Sequence, residues 1–143
     1  MIDEKAKNAF LSGEAFLHAC HLLARAIEHG EPVLSLVLAT NSAFSLEMFL
    51  KSVLLIEQRV EVRGHDVHEL FHRLLSATKE RLTQAHAEFV QENPIFANNA
   101  RLLGVSLELE NLLERGRNAF VDFRYAHERL PVDTVWGLNG FTK

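Results

Sequence analysis

The chain has 143 residues, enough for one domain with a buried core that needs neither disulfides nor a structural metal. Hydrophobic residues make up 48% and charged residues 24%, which excludes the polar, strongly charged signature of disorder. A net charge of -4 excludes a globally basic nucleic-acid binder, so any nucleic-acid site must be a local patch.

Cys20 is the only cysteine, so an intramolecular disulfide and a tetrahedral cysteine zinc site are both excluded, and a reducing, cytoplasmic setting fits. The start, MIDEKAKNAF, is charged and carries no apolar stretch or small-residue cleavage site, so export is not expected. The three prolines, at 32, 94 and 131, read as punctuation between helices. Residues 4–29 predict a first helix ending at His29 and Gly30, with the glycine available as a left-handed cap. Residues 32–58 are apolar nearly all round and predict a central helix, the least exposed element. Asn41, Ser42, Ser45, Glu47, Lys51 and Ser52 interrupt that stretch, so a buried helix is expected rather than a membrane span.

QRVEVRGH, residues 58–65, is a polar connection. Asp66 and Glu69 then form a capping-box pattern, and Val67, Leu70, Phe71, Leu74 and Leu75 fall on one face of a third helix running to Asn93. After an irregular or briefly helical stretch, a fourth helix carries Leu109, Leu112, Leu113, Phe120 and Phe123 on one stripe and ends near Glu128. The tail from Pro131 contains Trp136 and Phe141, and nothing in it fixes a conformation. The pattern predicts one all-α domain over 1–143, an up-and-down bundle of four long helices with at most a short additional one.

Three stretches in this order resemble the HEPN family (higher eukaryotes and prokaryotes nucleotide-binding). NSAFSLEMFLKSVLL is similar to its second helix, GHDVHELF to the start of its third, and RNAFVDFRYAHE to the end of its last long helix. The resemblance implies a compact helical bundle, a homodimer, and a role in a toxin–antitoxin, defence or RNA-related system. RNA or a nucleotide, and an antitoxin or nucleotidyltransferase protein, are the partners it implies.

Active ribonucleases of that family carry an arginine, a polar residue, and a histidine four to six positions beyond the arginine. Arg117 and Asn118 match the start of this motif, whereas the position five after Arg117 is Asp122 and the nearest downstream histidine is His127. The chemistry needs a histidine to move a proton and an arginine to hold the charged transition state. An aspartate at 122 accepts protons but repels phosphate, so weak or lost metal-independent cleavage is the expectation.

On a continuous fourth helix Arg117 and Arg124, seven apart, project the same way and suit a phosphate clamp; the competing reading pairs them with Glu114, Asp122 or Glu128. Glu14, His18, His21 and Arg25 form a stripe on the first helix, flanked by Phe10, Leu17 and Ala24 on one side and Leu11, Ala15 and Leu22 on the other. Two apolar faces predict two packing partners, one of them a second subunit, and bring His18 and His21 into the nucleotide-binding set. His68 and His72 add ligand types for a metal, but only Glu69 and His72 have the glutamate-x-x-histidine spacing of a di-iron bundle. Hydrogen-bonded histidines are therefore favoured, with no metal and no cofactor expected. Asp66 is read as an N-cap, His65 as local packing, and Glu47 with Lys51 as a helical ion pair. The rival functions are a non-catalytic interaction module and a metal-dependent bundle enzyme.

Overall fold

The computed structural model describes residues 1–125, and every regular element among them is helical. α1 spans Ile2–Glu28, with Asp3 and Glu4 in its first turn and Arg25 in its last, as the helix dipole favours. Gly30 takes the left-handed turn at φ 105°, Pro32–Leu34 form one 3₁₀ turn, and α2 follows over Ser35–Gln58. The two long helices lie antiparallel along a seam of small residues. Ala6, Gly13 and Cys20 are buried on α1, where Ser52 Oγ donates to the Ala6 carbonyl and Ser45 Oγ to the Gly13 carbonyl, both at 2.8 Å. Cys20 Sγ lies 3.3 Å from Ser42 Oγ at the same seam. The serine stripe of α2 thus serves close helix approach.

The third and fourth helices expected from the sequence are each broken in two. α3 is Val67–His72 and α4 is Ser76–Glu92; α6 is Leu109–Arg115 and α7 is Ala119–Arg124, with the short α5 at Pro94–Leu102 between the pairs. The first break arises because the end of α2 captures the backbone there. Glu57 accepts the Leu75 amide at 3.0 Å and the Thr78 hydroxyl, while Gln58 donates to the Arg73 carbonyl. A carboxylate receiving the opening donors of α4 starts a new helix where one would otherwise continue. Leu75 consequently sits at the break and is exposed, although its pattern assigned it to the core face.

The second break has a similar cause. Gly116 ends α6, and the next carbonyl, that of Arg117, accepts the first amide of α3 from Val67 at 2.9 Å. The chain is tied sideways at the point where the fourth helix was expected to run straight.

Leu50 and Leu54 of α2, Val67, Leu70 and Phe71 of α3, Leu74 and Leu113 make one buried cluster, so the core lies where the second half of α2 meets α3 and α6. Complete burial of a Leu contributes about 1.5–3 kcal/mol, which makes this cluster the main hydrophobic support of the region described next. The first half of α2 is different. No residue of α2 before Ser45 is buried, and Val33 and Val37 are exposed, so only the second half behaves as the central helix that was expected. Pro32–Gln58 is long and apolar enough to cross a membrane by length and composition, with a mean hydropathy of 1.6.

Candidate functional site

Glu47 is 0% exposed, in the middle of an apolar helix. A buried carboxylate needs partners to compensate for lost water. Lys51, one turn on, donates to Oε1 at 2.7 Å, and His65 donates through Nδ1 at 2.9 and 3.0 Å to the two carboxylate oxygens. The helical ion pair expected from sequence is therefore part of a three-residue node, and His65 does more than pack locally. With Nδ1 turned to Glu47, Nε2 is the ring nitrogen that faces away from the carboxylate, on a side chain 46% exposed.

His65 also lies against Phe120, ring centroids 5.5 Å apart, and Phe120 stacks on Phe44, which in turn meets Phe16 edge-on. This aromatic ladder links α7 through α2 to α1. Arg124 covers the outer side of it, its guanidinium 5.2 Å from the Phe120 ring centre and 4.6 Å from that of Tyr125, whose hydroxyl it also bonds at 2.7 Å.

Arg117 takes a partner that the sequence reading did not assign. Its Nε and one terminal nitrogen donate to the same oxygen of Asp66, Oδ2, at 2.8 and 2.7 Å. The other oxygen, Oδ1, accepts the Glu69 amide at 3.0 Å, the N-cap bond expected from GHDVHELF. Asp66 therefore caps α3 and clamps Arg117 at once. Burial pushes its carboxyl up, but the Glu69 amide and the adjacent Arg117 outweigh burial and hold it below the usual range. The same bond raises Arg117 above the ordinary arginine value.

The break before α7 removes the premise that Arg117 and Arg124 project alike from one continuous helix. They are nevertheless linked across a small surface: Arg117 holds Asp66, Asp66 follows His65, His65 meets Phe120, and Phe120 lies under Arg124. Asn118 occupies the N-cap position of α7 without a side-chain capping bond, and Asp122 is exposed on that helix. His127 lies outside the described residues, as do Glu128, Trp136 and Phe141. His18 and His21 are exposed on α1, and among the described residues no hydrogen bond, ion pair or ring contact joins them to Arg117 or Arg124. The residues missed as a site are Glu47 and His65. Their signal was a lone carboxylate inside an apolar helix, facing a histidine just before a helix start.

A second cluster joins α3 to α6. His68 and His72 of α3 converge on Glu110 of α6, and Glu69, the spacing partner of His72, is not among the converging groups.

No family model matches the chain, and neither a curated protein nor a solved structure is similar to it.

Proposed function

We propose that this chain is a HEPN-like homodimeric domain of a toxin–antitoxin, defence or RNA-related system that binds RNA or nucleotide phosphate beside His65, Arg117 and Arg124. In this reading the domain works in the cytoplasm with an antitoxin or nucleotidyltransferase partner, and metal-independent cleavage is weak or lost. The observation that carries the reading is the continuous arrangement of the Glu47-anchored His65, Phe120 and the Arg124 guanidinium, with Arg117 held one residue away at Asp66. Guanidinium groups recognise phosphate oxygens through forked donors, and the exposed Arg124 guanidinium, lying over the half-buried Phe120 and Tyr125 rings, offers a plane on which a base can stack.

The arrangement also favours a second reading, a non-catalytic interaction module. Arg117 already spends two donors on Asp66, and Asp122 stands where the family motif places its histidine. A phosphate would have to compete with an intramolecular carboxylate for Arg117, whereas Arg124 is held by the Phe120 and Tyr125 rings and the Tyr125 hydroxyl.

The test compares wild type, Arg117→Ala, Arg124→Ala, His65→Ala, Asp122→His and His127→Ala in RNA binding and in cleavage with chelator present. Binding should fall in both arginine variants, and cleavage should stay at or near background. Proton transfer by a placed side chain contributes about 10² to 10⁴ in rate, so a residual activity is the most that an incomplete motif sustains. Robust cleavage lost in His127→Ala defeats the weak-cleavage reading, and binding unchanged by either arginine variant defeats the phosphate site.

A further inference from the structure

We propose that His68, His72 and Glu110, none of which belongs to the phosphate surface proposed above, form a binding site for one divalent transition-metal ion of the zinc class. The two histidines are one turn apart on α3, and Glu110 with Glu114 repeats that spacing on the facing α6. His68 Nε2 lies 2.8 Å from Glu110 Oε1, His72 Nε2 lies 2.5 Å from the same oxygen, and the two nitrogens are 3.2 Å apart. Glu114 Oε2 stands 3.9 Å from His68 Nε2, close enough to supply a fourth oxygen after a change of rotamer.

Proton bookkeeping separates a metal site from a hydrogen-bonded cluster. Each Nε2 carries either one hydrogen or one lone pair. If both carry hydrogens, both donate to Glu110 Oε1, and the contact between the two nitrogens is then the approach of two donors to a shared acceptor rather than a hydrogen bond. If one carries a lone pair, it accepts from the other histidine, and its short approach to the Glu110 oxygen becomes lone pair against lone pair. With Glu110 ionised, two N–H groups donating to Oε1 satisfy two of the contacts, and no arrangement of protons makes all three hydrogen bonds at once. A cation between them satisfies all three at once, since every group then offers a lone pair.

The dimensions agree. Ligand atoms about 2.0–2.2 Å from a shared zinc ion are separated from one another by about 3.0–3.5 Å, so the three groups need only spread slightly. Two imidazoles and a carboxylate are also the donor set that borderline divalent ions prefer over magnesium or calcium.

The site is accessible. A groove of about 520 Å³ runs between α3, α4 and α6 with His72 and Glu110 on its wall and Lys79 and Thr83 opposite. With Glu114 left as it stands, an ion held by His68, His72 and Glu110 keeps a coordination position toward the groove, as catalytic zinc sites do, whereas recruitment of Glu114 would close it. A small anionic or carbonyl-bearing molecule is the class of ligand that position would take.

The experiment uses the full-length chain without an affinity tag, stripped with chelator and titrated with Zn²⁺ by calorimetry and with Co²⁺ by visible absorption. One equivalent should bind, with the intense Co²⁺ spectrum of a low-coordinate nitrogen and oxygen site, and Zn²⁺ should raise the melting temperature. His72→Ala and Glu110→Gln should each weaken binding by more than the roughly 10–100-fold that loss of an outer-shell partner costs, while circular dichroism stays unchanged. A His18→Ala, His21→Ala double variant should bind as wild type does. Absent saturable binding, binding that survives His72→Ala, or binding lost only in the His18 and His21 variant overturns the site. RNA binding by the arginine surface is measured separately and is unaffected by any of these outcomes.

Discussion

Removing the Glu47 carboxylate tests the buried node most directly. Glu47 is fully buried and Lys51 largely so, with a side chain 17% exposed, whereas His65 is half in solvent. In Glu47→Ala the Lys51 ammonium keeps its burial but loses its carboxylate, and breaking one side of a buried pair costs about 3–5 kcal/mol. Against a typical domain stability of about 5–15 kcal/mol this is a third or more of the total. The reverse perturbation discriminates the cause. Replacing both partners, Glu47→Leu with Lys51→Met, leaves no uncompensated charge, and such exchanges are often neutral or stabilising by about 1–4 kcal/mol. Urea unfolding followed by circular dichroism reads both variants: the midpoint should drop steeply for the single substitution and return to wild type or above for the pair. A single-variant loss below about 1 kcal/mol, or a pair as unstable as the single, refutes the argument that unpaired charge rather than lost packing controls this position.

Asp66 separates its two roles by substitution and pH. Asp66→Asn keeps a good N-cap but loses the charge that holds Arg117, and Asp66→Ala loses both, with the cap alone worth about 1 kcal/mol. Because the folded carboxyl is held below its unfolded value of about 3.8, the pairing stabilises at pH above that value and is lost as pH falls through the folded one. The stability gap between wild type and Asp66→Asn, small because the arginine is so exposed, should therefore close in acid; a gap constant from neutral pH to pH 2 contradicts the assignment. For the proposed homodimer, Leu22 is 54% exposed on α1, on the same face as exposed Leu11 three turns earlier. Leu22→Glu should convert a dimeric mass by light scattering to a monomeric one with helicity intact, and a wild-type monomer at micromolar concentration removes the proposal.

Helical class was legible because apolar spacing is set by the local geometry of the helix itself. The start of α3 was equally readable, since a capping box acts within one turn, and Asp66 accepts the Glu69 amide as that pattern requires. The breaks at Arg73 to Leu75 and at Gly116 to Asn118 were not. They are made by partners distant in the chain, Glu57 and Gln58 in one case and the Val67 amide in the other, which no window of local periodicity contains. The same distinction governs the sites. Lys51 beside Glu47 is a one-turn relation and was legible, whereas His65 on Glu47, Asp66 on Arg117 and Glu110 on the two histidines are 18, 51 and 38 to 42 residues apart. Residue types announced the chemistry; only the tertiary fold chose the partners.

The seam between α1 and α2 has a mechanical consequence. Small side chains let the two backbones approach, and serine hydroxyls on α1 carbonyls fix their register, so a slip of either helix would break bonds spaced along the seam. α1 alone is about 40 Å long at 1.5 Å per residue, and the hairpin acts as a stiff beam. Its load sits from the middle of α2 onward, where Phe44 meets Phe120, Glu47 anchors His65, and Leu50 and Leu54 anchor the core. Between Cys20 and Ser45, at the other end, no residue is buried. Whatever grips the beam near Gly30 would therefore move the arginine surface as a rigid body, changing where it points without changing how its side chains are held.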